Sequence, residues 1–291
     1  MTPERQPGRD PAGTDIPRLK SPPAAKTFQR AVLEYYHLYG RDLAWRNTTD
    51  PYAILVSEIM LQQTQVERVS ARYPVFMTAF PDFRTLADAS LSDILPVWQG
   101  MGYNRRAIAL QKCAWIVTRE HGGKLPSDPD ILATFPGIGR ATASSICAFA
   151  FGMPVAFIET NIRRVFIHYF FRDATTVDDR DILPVVKKTL YREDPRTWYN
   201  ALMDLGTDLR SVTENPNRRS QKYTLQTAFE GSDRKIRGEI LRMLLARKRV
   251  MHGDIAYRYP GEPERIERIL GALEREGFIS RSGGGYSILS R

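Results

Sequence analysis

The sequence predicts a mainly α protein that ends in a small α+β module. Three observations predict it. Apolar residues recur at helical spacing from Lys26 to about residue 209. Strand signals are nearly absent before residue 230. After Gly231-Ser232, two helical segments lead into two short apolar runs around Gly283-Gly284-Gly285, the signature of a terminal hairpin.

The elements follow in order. Residues 1–25 are proline-rich and without periodicity, so a disordered tail is expected there. Phe28, Val32, Tyr35, Tyr36 and Tyr39 mark a first helix. Asp50-Pro51, a cap followed by proline in the first turn, starts another from Tyr52 to about Thr64. Helical segments continue over 66–79, 84–88, 91–98, 104–120, 128–134, 140–151, 159–170, 181–191 and 195–209. Pro81, Gly100, Gly122-Gly123, Pro136-Gly137, Gly152 and Pro154 separate them. Many short helices indicate an all-α domain over 26–230. Asp233 is expected to cap a helix to about Arg249, and a second helix runs from Glu262 to Glu276. With the two strands these make a winged-helix-like module over 231–291, which holds 13 Lys and Arg against 8 Asp and Glu.

The whole chain of 291 residues has a formal charge of +9, which favours a polyanionic partner, although charge alone also fits a merely soluble basic protein. Cys113 and Cys147 lie in apolar helical contexts, as buried free thiols do. Two cysteines and four histidines argue against a zinc module. No stretch reaches the ~18 apolar residues that span a membrane, and the N-terminal residues carry no signal-peptide core. A soluble, cytoplasmic (nucleoid-associated) monomer without membrane contact is expected.

Three segments carry chemistry. Phe135-Pro136-Gly137-Ile138-Gly139-Arg140-Ala141-Thr142-Ala143 is a glycine hairpin opening a helix. It can aim backbone N–H groups at a phosphate, and read alone it is also an ordinary turn. Ser57-Glu58-Ile59-Met60-Leu61-Gln62-Gln63-Thr64-Gln65 sets Glu58 among apolar residues. Burial there would raise its pKa and suit a general acid, whereas a solvated helix carboxylate is the plainer reading. Its glutamines offer amides that can pair base edges. Gly100-Met101-Gly102-Tyr103-Asn104-Arg105-Arg106 puts an aromatic ring beside two arginines, a combination that stacks a base and holds phosphates.

Taken in this order, from Trp45-Arg46 to Met203-Asp204-Leu205-Gly206, these segments resemble the helix-hairpin-helix (HhH-GPD) DNA glycosylases. Ser57–Val66 resembles most closely the A/G-specific adenine glycosylase branch. The resemblance implies a two-lobed helical domain that binds double-stranded DNA carrying a mismatched or damaged base. It implies Glu58 as the general acid, Glu159 as a second catalytic carboxylate and Asn161 beside it. Gln62 and Tyr103 would enter the duplex near the extruded base, and Gly137 and Gly139 would bind phosphate. Gln63, Arg105, Arg140 and Thr142 complete the expected DNA contacts.

The chain departs from that family in several places. Glu159 stands where aspartate is usual, and a ~1 Å displacement of a catalytic group can cost about 10²-fold. The spacing of the family's iron–sulfur cysteines falls on Arg210, Asn217, Ser220 and Gln226, so no four-thiolate cluster is expected. Asn215–Tyr223 would instead fold through its own hydrogen bonds. No protein metal ligands are expected, and a monovalent cation on hairpin carbonyls is compatible with the sequence. The C-terminal module replaces the Nudix-like domain with which relatives read 8-oxoguanine, and it would bind DNA or a protein. Ala141 occupies the place of the nucleophilic lysine in relatives resembling endonuclease III, so at most weak strand cleavage is expected. The expected activity is monofunctional hydrolysis of a mispaired base in base-excision repair, with adenine opposite G or 8-oxoguanine first. A thymine or uracil mismatch glycosylase and a non-catalytic DNA-binding protein are the alternatives.

Overall fold

The computed structural model describes residues 16–225 and 228–289. In chain order it holds α1 (Ala25–Tyr39), α2 (Pro51–Leu61), α3 (Val66–Ala79), α4 (Phe83–Asp88), α5 (Leu91–Trp98), α6 (Arg105–Glu120) and α7 (Pro129–Leu132). Next come α8 (Arg140–Phe151), α9 (Thr160–Phe170), α10 (Asp179–Thr189) and α11 (Pro195–Val212). The chain closes with α12 (Asp233–Arg247), β1 (Arg249–Met251), α13 (His252–Arg258), α14 (Pro263–Arg275), β2 (Ile279–Ser282) and β3 (Gly285–Ile288). Many helix starts follow from capping chemistry. Asp82 accepts from the Thr85 N–H, Ser90 and Asp93 form a reciprocal capping box, and Asp194 accepts from the Thr197 N–H ahead of Pro195.

The chain forms two compact units. The first takes the described chain up to Ile54, then Ser127–Ala133 and Ile138–Leu225. Its core is aromatic: Phe28 of α1 meets Phe166 of α9 and Trp198 of α11 edge-on, with ring centroids 5.5 and 5.7 Å apart. Residues 1–15 of the expected tail lie outside the described residues. Residues 16–24 differ from the expectation, because Ile16 and Leu19 pack against this core. The Tyr169 hydroxyl donates to the Pro17 carbonyl at 2.8 Å, and Ser21 Oγ donates to the Tyr169 carbonyl at 2.9 Å. Proline kept the segment from reading as a helix, but two apolar side chains and two hydrogen bonds hold it to this core.

The second unit takes Leu55–Pro126, Thr134–Gly137 and the chain from Gln226 onward. Phe76 of α3 packs edge-on against Trp98 of α5, and α4 lies on α6. The C-terminal module has the two expected helices and the expected hairpin β2–β3, to which β1 adds a third strand in an antiparallel sheet of order β1-β3-β2, with Val250 opposite Tyr286 and Ile279 opposite Ile288. Its core does not stop at residue 231. Leu91 and Leu95 of α5 share it with Ile240, Leu244, Leu270 and Phe278. The expected boundary between 26–230 and 231–291 is therefore not a boundary between compact units. β1 and α13 were not legible in the sequence. Lys248, at φ +61°, ends α12 short of Arg249, and a three-residue strand is too brief to show alternation.

Candidate active site

In the second unit, Glu58 lies half-buried in the last part of α2, where its neighbours Leu55, Val56, Ile59 and Met60 are fully buried. The end of that helix is held by Arg106. Its Nη1 donates to the carbonyls of Ile59, Met60 and Gln62 at 2.9, 2.8 and 2.5 Å. Its Nη2 donates to Thr64 Oγ1 and to the Met101 and Gly102 carbonyls at 2.8, 3.0 and 3.1 Å. The last carbonyls of a helix lack partners, and a buried guanidinium at that end supplies both donors and the favourable charge. Burial lowers the Arg106 pKa to about 10, which still leaves it charged at neutral pH. This corrects the reading of Arg105-Arg106 as a phosphate-holding pair: Arg106 is committed to the backbone. Arg105 is exposed and pairs with Glu276, which Arg237 also engages.

Helix α2 ends at Leu61 rather than Thr64, so Gln62 and Gln63 sit in a turn, with Gln63 exposed at φ +54°. Gln62 Nε2 donates to the Gly137 carbonyl at 3.0 Å, joining this turn to the hairpin. Gly137 needs to be glycine: its φ is +75°, and a Cβ would lie 2.9 Å from that of Ala109. Tyr103, at φ +43°, has Arg106 and Arg234 over its ring at 5.7 and 5.3 Å, and its hydroxyl accepts from Arg234 of α12.

In the first unit, Gly139 caps α8. Its φ of −88° is ordinary and no atom lies within 4 Å of a built Cβ, so neither backbone nor packing requires glycine there. Arg140 and Ala141 are exposed in the first turn of α8 and Thr142 is half-buried.

Glu159 is the N-cap of α9. Its Oε1 accepts from the N–H groups of Asn161 and Ile162 at 2.7 and 2.8 Å. Caps are usually shorter side chains, and here the extra methylene is taken up by folding back over the helix end. Burial pushes the Glu159 carboxyl above its usual range. The two N–H donors and the charges of Arg164 and Arg163 oppose that without overcoming it. Asn161 Oδ1 accepts from Arg164 Nη1 at 2.7 Å, and the same buried guanidinium donates to the Gly206 carbonyl. Buried Asp204 is held below the usual carboxylate range by Arg46 and Arg41, with Arg46 reaching both of its oxygens at 2.8 and 2.9 Å.

The segment at the positions of the family's cluster cysteines is built from hydrogen bonds. Asn217 Nδ2 donates to the Thr160 carbonyl at 2.9 Å. Arg219 Nη1 donates to the carbonyls of Phe171, Arg172 and Ala174. Asp179 takes Arg163 and Lys222 together at 2.6 and 2.9 Å. Gln226 lies outside the described residues. These donors do not fit an iron–sulfur cluster. The chain's two thiols are buried in separate helices, with Cys113 on the Pro136 carbonyl and Cys147 on that of Ser127. Among the described residues no three of His, Cys, Asp and Glu gather as a metal site.

The structure thus groups Glu159 with Asn161 in one unit, and Glu58 with Gln62, Tyr103 and Gly137 in the other. Sequence reasoning missed Arg164 and Arg234, whose roles depend on partners 42 and 131 residues away.

Residues 56–183 match the HhH-GPD superfamily base excision DNA repair protein family. The adenine DNA glycosylase of Mycobacterium tuberculosis is 31% identical over 281 residues, covering 87% of this chain and 90% of that protein. The human adenine DNA glycosylase is 38% identical over 147 residues, covering 47% of this chain and 27% of its own length. Among solved structures, a thermostable thymine-DNA glycosylase aligns with TM-score 0.58 at 24% identity, over 67% of this chain and 91% of its own. An endonuclease III–DNA complex aligns with TM-score 0.52 at 18% identity, over 62% and 84%. The structural likenesses establish the fold. The 31% identity over most of both chains, with the family match over residues 56–183, makes this chain a member of the HhH-GPD superfamily of base excision DNA repair proteins, in the adenine DNA glycosylase family.

Proposed function

We propose that this protein is a monofunctional DNA glycosylase that removes adenine mispaired with G or 8-oxoguanine from duplex DNA, acting as a monomer at the nucleoid. The observation that carries this is Glu58. It sits in a segment resembling the adenine glycosylases almost residue for residue, on a helix whose end is pinned by six hydrogen bonds from Arg106.

The chemistry follows from these groups. A stacked base is unreachable, so the adenine is extruded at a cost of a few kcal/mol. Glu58 protonates it and makes it a better leaving group. The glycosidic bond breaks with an oxocarbenium-like sugar, whose charge the Glu159 carboxylate stabilises or traps. Asn161, held by Arg164, fixes the helix end that presents this carboxylate. The N–H groups at the start of α8 take a phosphate of the same strand, and the open side of Gly139 gives the phosphate room. Alanine at position 141 offers no amine for a Schiff base, so the strand stays intact.

The test is single-turnover base release from duplexes carrying A·8-oxoG, A·G, T·G and U·G. Adenine release from the first two, abolished in Glu58→Gln, is the expected result. Release of thymine or uracil alone would replace the substrate. No release from any duplex despite intact binding would leave a DNA-binding protein.

A further inference from the structure

The C-terminal module sorts its charges by element. The exposed side of α14 holds Glu264, Glu267 and Glu274 against Arg268 and Arg275, and Arg268 is engaged by Asp233 at 3.3 Å. Positive charge gathers at the sheet instead. Arg247 and Lys248 close α12, Arg249 opens β1 and Arg281 stands on β2, all four exposed. The module's ion pairs lie elsewhere: Glu239 with Arg258, Glu262 with Arg265, Glu267 with His252 and Glu276 with Arg237. Among the described residues no carboxylate neutralises the four cations at the sheet. Helix ends favour cations, and edge strands carry charge against unwanted pairing. Either sign blunts an edge, however, and on both edges, β1 and β2, every charge is positive.

The hairpin between the edges is built for close approach. Gly283 and Gly284, at φ +49° and +73°, form a two-residue turn without side chains. Arg249 Nη2 braces it by donating to the Ser282 and Gly283 carbonyls at 2.7 and 3.2 Å. The register sets Arg249, Ser287 and Ser280 in one row on the outer side of the sheet, where the two hydroxyl oxygens lie 3.2 Å apart. The one large apolar side chain on that side is Met251, which lies along Gly284 and Gly285. Protein interfaces are anchored by aromatic residues and buried apolar pockets, whereas hydroxyls and unpaired cations around a bare turn are the chemistry that holds phosphates. We propose that the β2–β3 hairpin and the corner between α12 and β1 form a second DNA contact, a clamp on the phosphate backbone away from the reacting base. The duplex meets this corner and not α14, whose acids repel it. The inference rests on the reading of this protein as one that acts on duplex DNA. An acidic protein is the rival partner.

The experiment uses the full chain and fluorescence anisotropy over a range of salt, with an A·8-oxoG duplex and a fully paired duplex of the same length. Arg247→Glu with Arg281→Glu is expected to weaken binding roughly tenfold and to lower the salt slope by about two, one per lost phosphate contact. The loss should be equal on the two duplexes, because the clamp reads no base. At saturating protein the double variant should release adenine at the wild-type rate. Arg281→Glu alone should weaken binding roughly threefold, whereas Arg275→Glu, the same charge change on α14, should bind as wild type. Unchanged binding by the double variant would overturn the proposal and leave this face to a protein. An equal loss in Arg275→Glu would overturn it as a general effect of charge. A loss confined to the A·8-oxoG duplex would overturn it by placing these residues at the reacting base. Failure of wild type to release adenine would overturn the adenine reading alone, because binding to the paired duplex still decides the clamp.

Discussion

Gly206 of α11 lies against Asn161 of α9 so closely that a Cβ on Gly206 would meet the Asn161 Cβ at 2.7 Å and its carbonyl carbon at 2.8 Å. The obstacle is backbone, which cannot rotate away, and Arg164 ties Asn161 and Gly206 together from the other side. Gly206→Ala should therefore destabilise the protein by about 2–3 kcal/mol, as overpacking a tight contact does. The loss is readable as a lowered Tm, and the surviving folded protein should show reduced base release because the α9 start has moved. A wild-type Tm would show that the two helices separate freely.

Arg106 gives a second expectation. Removing its guanidinium strips donors from six acceptors, five of them carbonyls, around the end of α2. Arg106→Met should cost about 3–5 kcal/mol in urea unfolding, since it leaves buried polar groups unpaired. Arg106→Lys keeps the charge but lacks the fork that reaches both the 59–62 turn and the Gly100–Gly102 loop, so it should rescue only part of the loss. Full stability in Arg106→Met would mean that water satisfies the turn.

These two arginines also show where sequence legibility ends. Helix positions were legible because caps and apolar periodicity are local: the 91–98 segment starts at its Ser90 cap, and α9 differs from expectation only in that Glu159 is the cap. Glu58, Asn161 and the hairpin glycines could be singled out as candidates because they sit in contiguous motifs. The purpose of Arg106 was not legible, because an arginine beside another arginine reads the same whether it faces phosphate or six acceptors of its own chain. Residues 16–24 were misjudged because proline content speaks to periodicity and not to packing. The shared core of α5 and the C-terminal module joins Leu91 and Leu95 to residues well over a hundred positions later, and no window of sequence contains both.

Asn217 offers a test of the segment at the cluster positions. It is buried, and its amide donates to the Thr160 carbonyl next to the Glu159 cap. Asn217→Ala should cost about 1 kcal/mol, the usual net worth of one hydrogen bond made by a buried side chain. Treating the wild-type protein with iron chelators should leave Tm and base release unchanged, because the donors present hold the segment without thiolates. A chelator-sensitive Tm would contradict that account.

The last expectation concerns Glu159 and pH. Burial raises its carboxyl pKa above the ordinary 4.5, so the folded protein binds this proton more tightly than the unfolded chain. The sign follows directly. Above the raised pKa the folded state carries a charge it would rather not hold and the full cost is present; the cost falls away as the pH drops through the raised pKa and is gone below the unfolded value. Glu159→Gln retains an oxygen for the Asn161 and Ile162 N–H groups but has no charge. The variant should therefore be more stable than wild type at neutral pH, and the difference should shrink as the pH falls through the raised pKa. Base release should behave oppositely. The carboxylate is needed as an anion, so the acid limb of the wild-type single-turnover profile should lie above pH 4.5, and Glu159→Gln should lose activity across the range. A variant gaining Tm while losing turnover would identify Glu159 as a strained functional group kept at the expense of stability. A variant that lost both would mean that the cap, and not the charge, is its main contribution.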